Sequence, residues 1–112
     1  FVGESGTMAS ESAVLGTPAI FINNNHFGCI DDQANYGLIF TYTESEGDQI
    51  AAIKKAEELA LKPNTKSEYL PKREKLLADK IDVSAFLIWF VENYPESVKE
   101  VKAKDFDFGR FK

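Results

Sequence analysis

The chain has 112 residues, about the length of one domain, and 44% of them are hydrophobic and 12% aromatic. This composition supplies a hydrophobic core and excludes disordered and collagen-like classes; Cys29, the single cysteine, excludes a disulfide scaffold. The net charge of −5 argues against sequence-independent nucleic-acid binding. No apolar run reaches the roughly 20 residues that span a bilayer, and the lone cysteine favours a reducing, cytoplasmic setting.

Three short apolar runs in the first half of the chain predict strands. They are residues 1–3, 19–22 and 38–42. Between the first two, the sequence predicts a helix at 8–15, capped by Ser5 or Thr7 and ended by Gly16. The segment before the third strand is predicted to be a polar loop, 23–36, with one helical turn around 32–35.

Helices are predicted to dominate the second half. Their ranges are 46–61, 71–80 and 83–94. Apolar spacings of three and four define the first, Pro71 suits the first turn of the second, and Asp82 caps the third, which Pro95 ends. The third helix is apolar nearly all round and is therefore expected to be covered on more than one side. The sequence of the Lys- and Phe-rich tail, 96–112, is compatible either with disorder or with docking elsewhere.

Strands separated by helix-sized crossovers predict parallel pairing and an α/β fold: a partial Rossmann-like sheet with flanking helices and a C-terminal helical segment. The predicted organisation is a domain at 1–95 and a tail at 96–112. Three strands are fewer than usual, and residues 1–3 have the character of a strand already under way. The sequence is accordingly expected to be a fragment of a longer protein.

The two halves of the chain differ in charge. Residues 1–53 contain seven acidic residues and no Lys or Arg, and all 13 basic residues lie from Lys54 onward. An anion bound by the first half would need backbone N–H groups and a helix dipole, or basic groups from another domain. The alternative, that a buried first half precedes solvated helices, stays open at this stage.

The turn at 3–7 (Gly-Glu-Ser-Gly-Thr) joins a strand to a helix, which is the geometry that binds phosphate. Its small residues permit close approach of a ligand, and the hydroxyls of Ser5 and Thr7 can donate hydrogen bonds. Glu11, six residues after Ser5, is placed to accept hydrogen bonds from ribose hydroxyls. Taken alone, the same pattern also fits a plain structural turn.

Residues 4–20 (Glu-Ser-Gly-Thr-Met-Ala-Ser-Glu-Ser-Ala-Val-Leu-Gly-Thr-Pro-Ala-Ile) resemble the nucleotide-binding segment of GT-B-fold enzymes. The parallels are the non-hydrolysing UDP-N-acetylglucosamine 2-epimerases, lipid A disaccharide synthase and the uncharacterised DUF354 family. The resemblance implies that Ser5, Gly6 and Thr7 contact the diphosphate of a nucleotide sugar, UDP-linked in the closest parallels, and that Glu11 contacts its ribose. Thr7 stands where the epimerases have a second Gly but matches the disaccharide-synthase version.

The resemblance also implies what this chain lacks. The acceptor site and most catalytic groups of those enzymes lie in an N-terminal domain or earlier in the same domain. No catalytic residue, metal site or further cofactor is therefore assigned to this chain, which is expected to bind a nucleotide sugar without catalysing. Its expected partners are that ligand and the N-terminal domain of its parent protein.

Other residues have weaker claims to function. His26 follows a strand that should end at a ligand crevice, so it is a candidate contact for sugar or phosphate, although an exposed loop histidine is the simpler interpretation. Cys29 has no companion at metal-ligand spacing and is predicted to be a small packed residue. Trp89 and its aromatic neighbours fit a core or an interface better than a base-stacking surface.

Two further functions are considered. Residues 3–7 approach the Gly-x-Ser-x-Gly elbow of hydrolases, but Thr7 replaces the second Gly and no suitable acid–histidine pair follows. A non-enzymatic interaction module is the stronger alternative. In that case the apolar helix 83–94 would bind a partner or a second copy of the chain.

Overall fold

Alternation of short apolar runs with helices determines the fold class. The computed structural model describes residues 1–112, which form a first unit, Phe1–Leu76, and a second unit, Leu77–Lys112. The strands are β1 (Val2–Gly3), β2 (Ala19–Ile22) and β3 (Ile39–Tyr42). The helices are α1 (Gly6–Val14), α2 (Gly28–Asn35), α3 (Glu46–Leu61), α4 (Thr65–Asp79), α5 (Val83–Glu92) and α6 (Glu96–Lys102), followed by a 3-10 helix (Phe108–Phe111).

The sheet of the first unit is parallel, with strand order β1-β2-β3. Val2 pairs with Ile20, and Ala19 pairs with Ile39 in the next ladder. The crossovers α1 and α2 contact each other, whereas α3 packs on β2 and β3. The predicted α/β class and parallel pairing are confirmed, and the architecture is compatible with a partial Rossmann-like fold.

The main core lies between the sheet and the helices α1 and α2. Successive strand residues point to opposite faces, so Phe21 of β2 enters this core while Ile20 faces α3 on the other side. Ala9 and Ala13 have no exposed surface, and their small side chains let α1 lie close to β2. This close packing fixes the N-terminal end of α1 relative to the ends of the strands.

Helix α1 starts earlier than predicted, at Gly6, with Ser5 as its N-cap, and Gly16 follows it at a φ of +77°. Helix α3 has the predicted limits, 46–61, and is capped by Ser45. These boundaries are encoded by local capping chemistry, which the sequence displays directly.

Two further helix starts differ from the prediction. Helix α2 begins at Gly28 rather than near 32; its N-cap, Phe27, makes no side-chain cap bond, and the buried Ile30 anchors the helix instead. Helix α4 begins at Thr65, so Pro71 lies inside it rather than in its first turn. The proline cannot donate to the carbonyl of Ser67, and because both residues are exposed, water can solvate that carbonyl.

Aromatic side chains hold the second unit together. Asp82 caps α5 as predicted, and the α5 rings of Phe86 and Trp89 pack against the segment that follows α6. Ring centroids of Phe86 and Phe111 are 5.4 Å apart, as are those of Trp89 and Phe106. Residues 96–112 are therefore ordered on α5.

Within this chain, the apolar helix predicted at 83–94 is covered on one side only. The helix ends at Glu92 and none of its residues is fully buried. One side carries the aromatic contacts, and the other exposes a row of aliphatic side chains: Val83, Leu87, Ile88 and Val91.

Candidate functional site

The carboxyl ends of the three parallel strands lie at one edge of the sheet, where ligands bind in open α/β folds. The chain leaves β1 at Gly3, β2 at Ile22 and β3 at Tyr42. The segments that follow these residues carry most of the polar side chains singled out from the sequence. This edge is therefore the candidate site.

The start of α1 offers two unpaired donors. Ser5 accepts a hydrogen bond at its Oγ from the Met8 N–H (3.4 Å), and its carbonyl accepts one from the Ala9 N–H (3.0 Å). The N–H groups of Gly6 and Thr7 make no hydrogen bond within the chain. These two groups, at the positive end of the helix dipole, are free to bind an anion.

An open groove of about 400 Å³ lies against these donors. It is lined by Gly6, Thr7, Ser10, Glu11, Phe27 and Cys29. The structure thus brings together Gly6, Thr7 and Glu11 from the predicted set, and Glu11 is exposed to solvent. Ser5 is not part of the groove wall, because its side chain caps the helix.

His26 lies apart from this groove. It lines a smaller one, of about 100 Å³, at the ends of β2 and β3. Its side chain is 90% exposed, and its Nδ1 is 3.7 Å from Oδ1 of Asp31. Phe27 lines both grooves and packs edge-on against Phe21, with ring centroids 6.0 Å apart. A phenylalanine wall therefore separates the histidine from the start of α1.

Side-chain hydrogen bonds order the rim of the smaller groove. Asn24 and Glu44 exchange two bonds of 3.0 Å each: the Asn24 amide donates to the carboxylate, and the Glu44 N–H donates to Asn24 Oδ1. Asp48 accepts from both the hydroxyl and the backbone N–H of Thr43. These two hydrogen bonds, the hydroxyl one first, lower the pKa of Asp48 below its ordinary value. These hydrogen bonds connect and order the loops that follow β2 and β3 at the smaller groove.

The prediction for Cys29 is wrong. This residue is exposed and lines the larger groove rather than packing inside the protein. The difference follows from the early start of α2, which turns Ile30 inward and leaves the preceding residue on the outer side. Neither Phe27 nor Cys29 was predicted to line a groove, since only the packing of α2 against α1 brings them there.

Basic side chains of α4 donate hydrogen bonds at the opposite end of the sheet. The Lys72 ammonium donates to the Gly37 carbonyl (3.3 Å), just before β3 begins, and the Arg73 guanidinium donates to the Val14 carbonyl (2.9 Å), where α1 ends. Neither residue lines the groove at the start of α1. No lysine or arginine lines this groove, so any positive potential there comes from backbone groups at the helix starts.

Comparison of the chain with protein-family models, curated proteins and solved structures gives no match. None of its helices is both long and apolar enough to cross a membrane. No group of three or more His, Cys, Asp or Glu side chains converges as metal ligands do.

Proposed function

We propose that this chain forms the diphosphate- and ribose-binding part of a nucleotide-sugar site, UDP-linked by its resemblance, in a GT-B-type glycosyltransferase or sugar epimerase. The observation that carries the proposal is the pair of unpaired N–H groups at Gly6 and Thr7, beside a groove that also contains Glu11. The likeness of residues 4–20 to the nucleotide-binding segment of such enzymes supports it.

The spacing of these groups suits the two parts of the ligand. Two backbone donors at a helix start stabilise a diphosphate oxygen without a cationic side chain. Glu11 lies five residues further along α1 than Gly6, a rise of about 7.5 Å along the helix axis. That distance separates the carboxylate from the diphosphate and leaves it free to accept hydrogen bonds from ribose hydroxyls.

The proposal is one of binding rather than catalysis by this chain. By the resemblance, the acceptor site and most catalytic groups would lie in the N-terminal domain of a parent protein or in earlier residues. The exposed His26, on the far side of Phe27, is proposed to reach only the sugar end of a bound ligand.

The proposal is tested by titrating the chain with UDP and following its backbone amides by NMR. We expect the resonances of Gly6, Thr7 and Met8 to shift to saturation. The start of α3, capped by Ser45, serves as the internal control, because an effect of anions on helix ends in general would move Gly47 as well. If the amide resonances of Gly6, Thr7 and Met8 did not shift at saturating UDP, the proposal would be refuted.

Glu11→Gln is expected to weaken UDP binding by about 1–3 kcal/mol, the usual contribution of a hydrogen bond to a charged group. Calorimetric titration measures the change. Glu4→Gln is the matched control: it removes the same charge from an exposed residue outside the groove and should leave the dissociation constant nearly unchanged. Equal affinity of Glu11→Gln and the unmodified chain would reject the ribose role.

The second candidate function, an interaction module, is favoured by the exposed face of α5. A shallow apolar hollow of about 360 Å³ is lined by Leu87, Ile88, Val91 and Glu92. Val91 is 71% exposed and Ile88 59%, a large apolar area for one short helix. Burial of this face against a second copy of the chain would remove it from water.

Self-association through α5 predicts a reversible dimer in sedimentation equilibrium. Ile88→Glu should shift the chain to monomer, because a carboxylate would be buried at the contact. Ile53→Glu, which places the same charge on the exposed surface of α3, should leave the dimer intact. A chain that is monomeric and binds no apolar dye would contradict this candidate.

A further inference from the structure

A hydrogen-bonded pair of polar side chains stands behind the groove at the start of α1. Gln33 of α2 is only 7% exposed, and its Nε2 donates to the Oγ of Ser10 at 2.9 Å. Ser10 lies on α1 and lines the groove. The buried carboxamide therefore reaches a hydroxyl that a ligand in the groove can contact.

One acceptor and one donor of this pair have no hydrogen-bond partner in the chain. Gln33 Oε1 is buried and has no partner. Ser10 accepts from Gln33, and its own proton has no acceptor within the chain. A helical serine commonly returns that proton to the carbonyl four residues earlier, here that of Gly6, and this bond is not formed. Leaving a carbonyl oxygen unpaired costs less than leaving an amide N–H unpaired, which favours this orientation of the Gln33 amide.

We propose that Ser10 is a further ligand of the diphosphate, donating its hydroxyl proton to a phosphate oxygen, and that Gln33 is the positioning residue that keeps this proton turned toward the groove. The inference rests on the proposed nucleotide-sugar site and adds a side-chain donor to the two backbone donors at Gly6 and Thr7. It also accounts for a polar side chain on α2 that is buried without full hydrogen bonding.

Ser10→Ala tests the contact with the ligand. Alanine favours the helix, so the fold is kept, and we expect about tenfold weaker binding of both UDP and inorganic pyrophosphate. Ser12→Ala is the matched control, because Ser12 lies on the same helix and donates to the Thr17 carbonyl instead. Glu11→Gln should weaken UDP alone, which separates phosphate contacts from ribose contacts.

Gln33→Met tests the positioning role. It removes the amide at similar volume and adds no charge, so the Ser10 hydroxyl loses its hydrogen bond from α2 and is no longer held toward the groove. We expect Gln33→Met to weaken UDP binding by less than Ser10→Ala does, and the double variant to bind UDP as Ser10→Ala does. Should Gln33→Met fail to fold, Gln33→Leu also removes the amide without adding charge, and the same pattern is expected from it.

The outcomes separate the two proposals. An unmodified chain that binds neither UDP nor pyrophosphate overturns the nucleotide-sugar site and this inference together. Binding that Ser10→Ala leaves unchanged overturns the inference and leaves the site standing. Additive losses from Ser10→Ala and Gln33→Met overturn the positioning role of Gln33.

Discussion

Replacing Phe21 with alanine is expected to lower the free energy of unfolding by about 3–5 kcal/mol, the range for a large aromatic side chain removed from a core. Phe21 is 2% exposed, lies on the central strand and is among the largest fully buried side chains. It also supports Phe27, the wall between the two grooves. Because small proteins are stable by about 5–15 kcal/mol, this loss is a large share of the total.

Denaturant unfolding followed by far-ultraviolet circular dichroism measures the change. Phe27→Ala makes the same chemical substitution at a residue that is 43% exposed and should cost about 1 kcal/mol, chiefly the edge-on ring contact. If both variants lost the same stability, Phe21 would not be the core residue described here.

Phe111→Ala is expected to destabilise the second unit by about 3 kcal/mol. Phe111 is 8% exposed, and its ring contacts both Phe86 and Trp89 of α5. Its carbonyl accepts a hydrogen bond from the N–H of Asp82 (2.6 Å), so the backbone is held at the same place. Trp89 is the only tryptophan, and its fluorescence during denaturant unfolding reports on this unit.

Phe108→Ala is the control for that experiment. Phe108 belongs to the same 3-10 helix but is 44% exposed, although it contacts Phe86 and Phe106. Replacing Phe108 should lower the free energy of unfolding of the second unit clearly less than replacing Phe111 does. Indistinguishable unfolding of the two variants would mean that Phe111 does not hold the C-terminal segment on α5.

The parts of the fold that the sequence predicts are those with local causes. Ser5 and Asp82 cap helices with their own side chains, and the spacing of apolar residues in α3 gives its limits, 46–61, without reference to the rest of the chain. The strand at 19–22 is a continuous apolar run. Each of these elements can be derived from a window of a few residues.

The misjudged parts depend on distant contacts. Helix α2 has no capping side chain, and it is Ile30 in the core that fixes its position. The tail has no pattern that predicts order, because its phenylalanines are stabilised by the rings of α5 rather than by their neighbours. The sequence predicts Pro71 in the first turn of a helix, because proline is common there. It lies instead in the middle of α4, where an exposed helix face tolerates it.

The candidate site divides in the same way. Gly6, Thr7 and Glu11 lie on one turn and one helix, so their proximity follows from spacing alone. Phe27, Cys29 and the Gln33–Ser10 hydrogen bond come from the pairing of α1 with α2, which a linear sequence does not display. The ring of Phe27 also separates His26 from Gly6, Thr7 and Glu11, which were predicted to contact the same ligand.

The absence of lysine and arginine from residues 1–53 has a practical consequence. A protease that cleaves after basic residues finds its first peptide bond at Lys54, beyond all three strands and both grooves. The edge of the sheet at which the three strands end would therefore stay on one large peptide, and a label on the exposed thiol of Cys29 would be recovered on that peptide in mass spectrometry.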